Sequence, residues 1–254
     1  MPDFTLAIDI GNTNTRIGLV DAHAMRCDAR ETIPTARAVD ELGPIAARLH
    51  ARAPEAPVIA GTTVRRLRSA LDDALAYAGV APVSWLAYHP QLPIKIGYQN
   101  PRDLGHDRLA NLLFAHAAYP GRDVIIISSG TAIAADCLAG GAEFIGGAIL
   151  PGITLQLASL HEGTAELPEV IASANLDSKP GTSTEECMIT GVYEGVAGAL
   201  ERLVGNFRRQ MSDDCLVLAT GGAWPQHGGA FGFECRYIRD LTLIGIALFE
   251  RPKI

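Results

Sequence analysis

Asp9, Gly11, Asn12, Thr13, Asn14, Thr15 and Arg16 lie in one short stretch directly after the apolar segment TLAI. A carboxylate, a glycine and two threonines at this spacing suit a phosphate chain and its hydrated metal. Gly11 permits close approach of backbone to phosphate, Thr13 and Thr15 offer hydroxyl and amide donors, and Asp9 can hold the metal. The same stretch also reads as a hairpin turn in which Asn and Thr satisfy local backbone groups. Two more small-residue turns follow apolar strands, Ser128-Ser129-Gly130-Thr131-Ala132 after VIII and Thr220-Gly221-Gly222 after CLVLA. In an open α/β sheet, ligands collect where such strands end.

Gly105-His106-Asp107-Arg108 opens a helical segment. Asp107 reads as a base toward an alcohol and Arg108 as partner for an anionic group. The bland alternative is an acid favoured by the helix dipole. A helix N-terminus weakens a carboxylate as a base, although phosphoryl transfer depends more on positioning than on proton abstraction. Ser183-Thr184-Glu185-Glu186 fits a capping box, with Ser183 as cap and Glu186 reaching back. The histidines are spread singly and none pairs with a cysteine or acid at metal spacing, so they are expected to be non-ligands.

These groups need elements to carry them. Thr5 to Val20 reads as strand, polar turn, strand. Helical spacing is expected from Ala38 to Ala53, from Arg65 to Ala78 with Gly79 ending it, and from Asp107 to Tyr119, where Pro120 and Gly121 stop it. VIIIS is apolar enough for a strand covered on both faces. A long helix is expected over 184–209, with Met188, Val192, Val196, Ala199, Leu203 and Phe207 facing inward. The strand CLVLATGG and a helix around DLTLIGIALFE close the chain. LAIDIGNTNT and VIIISSGTAIA share a strand–turn–apolar pattern, a weak internal repeat that predicts two α/β domains, residues 1–118 and 119–254.

Composition narrows the function. Lys plus Arg is 21 against 28 for Asp plus Glu, a net charge of −7 with the basic residues scattered, so nucleic acid is not an expected partner. An anionic ligand would have to be held by turn amides, helix ends, metal or a few local cations. Five cysteines without metal or redox spacing predict reduced thiols in a cytoplasm. The N-terminus has no signal-peptide pattern and no apolar run approaches spanning length, so a soluble cytoplasmic protein without a membrane partner is expected.

Taken in order, LAIDIGNTNTRIGLV, GYQNPRDLGHDRLAN, SSGTA, FIGGAILPGITLQLASL with TAELP, GTSTEECMITGVYEG, ATGG and DLTLIGIALFE resemble the type III pantothenate kinases. The resemblance implies two ribonuclease-H-like domains of the actin-like ATPase and sugar-kinase superfamily with a ligand cleft between them, ATP in that cleft, and a homodimer whose interface completes the pantothenate pocket. It implies that Asp9 to Arg16 form the first phosphate-binding turn and Thr131 belongs to the second, with Gly221 and Gly222 beside the nucleotide. It further implies Asp107 as proton acceptor, and Tyr98, Gly105, His106, Asp107, Arg108 and Thr184 as pantothenate contacts, Arg108 meeting the carboxylate. The reaction implied is in-line transfer of the ATP γ-phosphoryl to the primary alcohol of pantothenate with Mg²⁺, the first step of coenzyme A biosynthesis.

The resemblance also implies a monovalent cation, potassium or ammonium. Here the chain departs from the family pattern: Ser128 stands where the family has an acid, and Ile133 and Ala134 where it has threonines. A serine hydroxyl brings no negative charge, which predicts weaker cation affinity at Ser128. Two alternatives follow, a non-catalytic or regulatory member with a degenerate second phosphate turn, and a kinase of this fold acting on another small alcohol. The retained GHDR argues against the second.

Overall fold

The computed structural model describes residues 4–80, 82–172, 179–212, 214–227 and 231–249. The described residues fall into two compact units. One is drawn from Met1–Gly121, Gly141–Phe144 and Asp240–Ile254, the other from Arg122–Gly140 and Ile145–Arg239.

In the first unit, β1 (Phe4–Ile10), β2 (Asn14–Asp21) and β3 (Arg26–Pro34) form an antiparallel meander, and β4 (Val58–Thr62) and β5 (Val83–Trp85) extend it in parallel on the β1 side. The order is β3-β2-β1-β4-β5. Strand side chains alternate between faces. Leu6, Ile8 and Ile10 therefore join one core with Leu42, Leu71 and Leu75 of α1 (Ala38–His50) and α2 (Arg68–Tyr77). The other face packs on α3 (His106–Ala118) and α6 (Leu241–Ala247). Asp9 sits on that second face by parity with Ala7. β6 (Lys95–Ile96) pairs with Glu143 and Phe144, the first residues of β9 (Glu143–Pro151).

In the second unit, β7 (Val124–Ser129), β8 (Ala132–Ala139) and the rest of β9 form the meander, and β10 (Leu216–Thr220) and β11 (Arg236–Tyr237) add in parallel beside β7. The strand order β9-β8-β7-β10-β11 repeats that of the first sheet, so the repeat suspected from LAIDIGNTNT and VIIISSGTAIA is present as topology. Ile125, Ile127 and Ile133 pack against α4 (Ile153–Glu162) and α5 (Thr184–Arg208). Val124 through Ile127 are all wholly buried, as the continuous apolar run predicts.

Two expectations need revision. The buried stripe of α5 is Met188, Val192, Tyr193, Val196, Leu200 and Val204; Phe207 packs against this core half-buried, as expected, whereas Ala199 and Leu203 are only partly covered. The buried positions keep a four-residue step from Met188 through Val204, whereas the expected stripe takes a three-residue step at Ala199 to follow 3.6 residues per turn. The closing helix, placed in the second domain by chain order, packs with the first unit: Thr242 Oγ1 bonds Asn111 Oδ1 at 2.8 Å and Arg30 Nη1 bonds Asp240 Oδ1 at 2.8 Å.

Candidate active site

The first polar stretch forms the β1–β2 turn. Register sets Asp9 opposite Arg16 and Ile10 opposite Thr15, and Gly11 N–H donates to the Asn14 carbonyl at 3.0 Å. Asn12, Thr13 and Asn14 are exposed at the tip. Thr15 is fully buried and its hydroxyl is 3.0 Å from that of Thr35, which also donates to the Gly11 carbonyl at 2.8 Å. Thr35 N–H donates to the Thr13 carbonyl at 2.9 Å. Thr15 thus braces the turn from within, while Thr13, Asn12 and Asn14 present its outer surface. No pattern around Thr35 in the sequence marks this role.

Asp9 is 4% exposed, yet it is engaged on both oxygens. His106 Nε2 lies 2.9 Å from Oδ1, and Arg16 Nη1 donates to Oδ2 at 3.1 Å. Burial by itself would raise the pKa of this carboxyl. The hydrogen bond and charge from His106, with Arg16 adding to both, outweigh burial and hold it below the ordinary value. Among the described residues, no group of three or more His, Cys, Asp or Glu gathers at metal-binding distance. A single carboxylate held below its ordinary pKa beside an exposed turn still suits Mg²⁺, which keeps most of its waters and takes its other ligands from substrate phosphates.

His106 reaches Asp9 because β4 makes room. Gly61 is the register partner of Asp9, and a Cβ there would stand 2.7 Å from the imidazole Cγ and nearer still to Cδ2. Only glycine at 61 leaves room for the ring against the strand. Gly105 caps α3, so His106, Asp107 and Arg108 form its first turn. Asp107 is half-buried, with its Oδ1 folded back to 2.7 Å from where a Cβ on residue 105 would stand. Arg108 is 6% exposed; its Nη1 donates to the Tyr98 hydroxyl at 2.6 Å, and its guanidinium carbon is 5.5 Å from the ring centres of both Tyr98 and Phe144. Asp9, Arg16 and His106 are therefore brought together, and Tyr98 and Arg108 likewise.

In the second unit three small-residue segments meet. Ser128 is in register with Thr220, Ala223 N–H donates to the Ser129 carbonyl at 3.1 Å, and Gly152 N–H donates to the Thr131 carbonyl at 2.9 Å. Gly221 has φ +98°, a left-handed conformation. Gly130, Thr131 and Gly222 are exposed, Ser128 is half-buried and Ser129 buried. Ile133 is wholly buried in the core beneath, and Ala134 is 6% exposed. The buried acid Asp136 on β8 escaped the sequence reading because it interrupts an otherwise apolar strand without any motif around it. Thr184, exposed at the first turn of α5, follows the cap Ser183, whose Oγ accepts from Glu186 N–H at 3.2 Å. The Glu186 carboxylate reaches one residue beyond the expected cap, to the amide and hydroxyl of Thr182 at 2.7 Å each.

The twin three-strand meanders with parallel additions, each ending in a small-residue turn, define the class of the actin-like ATPases and sugar kinases. A ROK family glucokinase from Streptomyces griseus, solved with glucose and AMPPNP, superposes with a TM-score of 0.52 at 14% identity, covering 96% of this chain and 98% of that one. A Campylobacter jejuni protein described as a Baf family transcriptional activator superposes with a TM-score of 0.60 at 19% identity over 95% and 94% of the two chains. At these identities the likeness is one of fold.

The family is narrower. The type III pantothenate kinase profile matches residues 5–206, and the type III pantothenate kinase of Kosmotoga olearia is 34% identical over 96% of this chain and 94% of its own. The chain belongs to the type III pantothenate kinase family.

Proposed function

We propose that this protein transfers the γ-phosphoryl group of ATP to the primary alcohol of pantothenate, giving 4'-phosphopantothenate and ADP, the first step of coenzyme A biosynthesis. The observation that carries the reading, beside family membership, is the 2.9 Å link between Asp9 on the phosphate-side turn and His106, the immediate neighbour of Asp107. One rigid contact ties the group beside the phosphates to the group beside the acceptor alcohol.

Each residue then has a task. The turn from Gly11 to Arg16 receives the phosphates, and Thr131 with Gly221 and Gly222 supplies the second set of contacts. Asp9 would hold Mg²⁺ through water, and the ion would supply positive charge to the phosphate chain. Asp107 orients the alcohol and takes its proton as the new O–P bond forms and the β–γ bridging bond breaks, the electron pair leaving on ADP. Tyr98, Gly105 and Thr184 line the pantothenate position. Arg108, pre-oriented by Tyr98, meets the carboxylate, and His106 serves the substrate side through its backbone while its ring holds Asp9.

The departures weigh unequally. Ile133 lies in the core against α5, so replacing a threonine there alters packing and not a ligand contact. Ser128 is the change that bears on a monovalent cation, and we read the site as a weak one for potassium or ammonium. A homodimer would give cover to the exposed apolar side chains Ile149, 61% exposed, Ile145 and Leu155 in the second unit. A cytoplasmic setting is supported by five cysteines that are all free thiols.

The test is coupled ATP turnover with and without pantothenate, in sodium buffer and again with potassium or ammonium. Pantothenate-dependent turnover is expected in every buffer, with a modest cation response. ATP hydrolysis indifferent to pantothenate would point to another alcohol, and no turnover at all to a non-catalytic member.

A further inference from the structure

Thr35 belongs to none of the motifs in the sequence; it lies between β3 and α1 and is 4% exposed. Two carbonyls of the β1–β2 turn converge on it. Its hydroxyl donates to the Gly11 carbonyl at 2.8 Å, and its N–H donates to the Thr13 carbonyl at 2.9 Å. A hydroxyl carries one proton, so Thr15 is the donor in the 3.0 Å pair that the two threonines make. Thr35 is anchored from behind by the start of α1, whose Ala38 and Leu42 are wholly buried in the core of the first unit. The turn therefore rests on a packed element and not on its own hairpin alone.

A trans peptide group points its C=O and its N–H in opposite directions. The Gly11 carbonyl shares a peptide group with the Asn12 N–H, and the Thr13 carbonyl shares one with the Asn14 N–H. By holding both carbonyls, Thr35 turns both N–H groups away from itself, at a tip where Asn12, Thr13 and Asn14 are exposed. Taking this turn as the phosphate-binding one proposed above, we infer that Thr35 is a positioning residue for the phosphates: it touches none of them, and it fixes the direction of two amide donors that do. Donors already aimed hold an anion more tightly than donors that must first be ordered. The hydroxyl is the half of the brace that a side chain can remove. Without it the Gly11–Asn12 peptide group loses its inward partner, and glycine restrains its own backbone too little to replace it.

The first test uses the parent chain carrying isotopically labelled asparagine. Addition of Mg-ATP should move the amide proton signals of Asn12 and Asn14 downfield, as new hydrogen bonds to phosphate require; unless both move, the inference falls. The second compares Thr35→Val, which keeps the shape of the side chain and loses the hydroxyl, with Thr35→Ser, which keeps the hydroxyl. Expected by calorimetry are a loss of tenfold or more in Mg-ATP affinity in Thr35→Val, pantothenate affinity within twofold of the parent in the same variant, and recovery of most Mg-ATP affinity in Thr35→Ser. Unchanged Mg-ATP affinity in Thr35→Val would overturn the assignment, and so would an equal fall for both ligands, the mark of a residue that only supports the fold. If Thr35→Val does not fold, the asparagine signals of the parent decide. A chain that passes these binding tests but never phosphorylates pantothenate would defeat the kinase reading and leave Thr35 its role, whereas a parent that binds no Mg-ATP would end both.

Discussion

Asp9 Oδ1 and His106 Nε2 are 2.9 Å apart, both buried, at the junction of the central strand and the helix that carries Asp107. A carboxylate out of water must be paired to stay ionised, and this one is paired twice. His106→Ala removes one partner and should destabilise the chain by about 1.5–3 kcal/mol, the usual cost of deleting a hydrogen bond to a buried charge. A positioning role adds a second expectation: Mg-ATP affinity, read by calorimetry, falls more than pantothenate affinity. His106→Gln, which can still donate to Asp9, should recover part of both. A stability loss with both affinities intact would reduce His106 to packing.

Gly61→Ala tests the same contact from the other side. The new methyl would overlap the imidazole, and crowding of a packed interior costs about 1–3 kcal/mol. Combined with His106→Ala, the Gly61 change should cost much less, because the ring it strikes is gone. Additive effects in thermal unfolding would contradict the close approach.

The pH dependence has a definite sign. Asp9 has its pKa depressed in the folded chain, so its contribution to stability is complete above the ordinary carboxylate value of 3.8 and is lost as pH falls through the lower folded value. The stability gap between the parent and Asp9→Asn, measured by denaturant unfolding, should be flat near neutrality and shrink only below about pH 4.

Asp107→Asn should lower turnover by two or more orders of magnitude while leaving the unfolding midpoint nearly unchanged, since the amide keeps the size of the side chain and removes the base. Near-normal turnover would mean that another group takes the proton.

Thiol labelling should be selective. Burial raises Cys27 and Cys215 to about 11 and Cys137 to about 12, so thiolate is scarce at neutral pH, while Cys187 is exposed at the start of α5. Peptide mapping after brief alkylation should find Cys187 modified first, with Cys27, Cys137 and Cys215 reacting only on unfolding.

Much of this was legible in the chain. The hairpin at Asp9, the helix starting at GHDR and the three small-residue turns rest on local signals: alternation, helix stops and glycines within a few residues. What was not legible depends on contacts between distant segments. Thr35 is an ordinary threonine until it sits under the Gly11 turn, and Gly61 is an unremarked residue in VIAGT until His106 is laid against it. The two-residue strand β6 carries too little periodicity to be read without its partner, and the later turns of α5 keep a four-residue step that an ideal helical period does not follow. Capping chemistry, being local, was nearly right; only the choice of Thr182 over the cap residue itself needed the structure.

The return of α6 to the first unit has a consequence for how the protein comes into being. The ribosome releases β1 before the residues of the second unit and the Leu241–Ala247 helix after them. Until that helix emerges, the face of the first sheet that bears Asp9 lacks the cover α6 gives β1 and β2, so a nascent chain can complete its second core before its first. The tie between Asp9 and His106 needs only β1 and α3 and can form earlier, whereas a chain broken off before residue 241 would leave the strand face that α6 covers open to proteolysis.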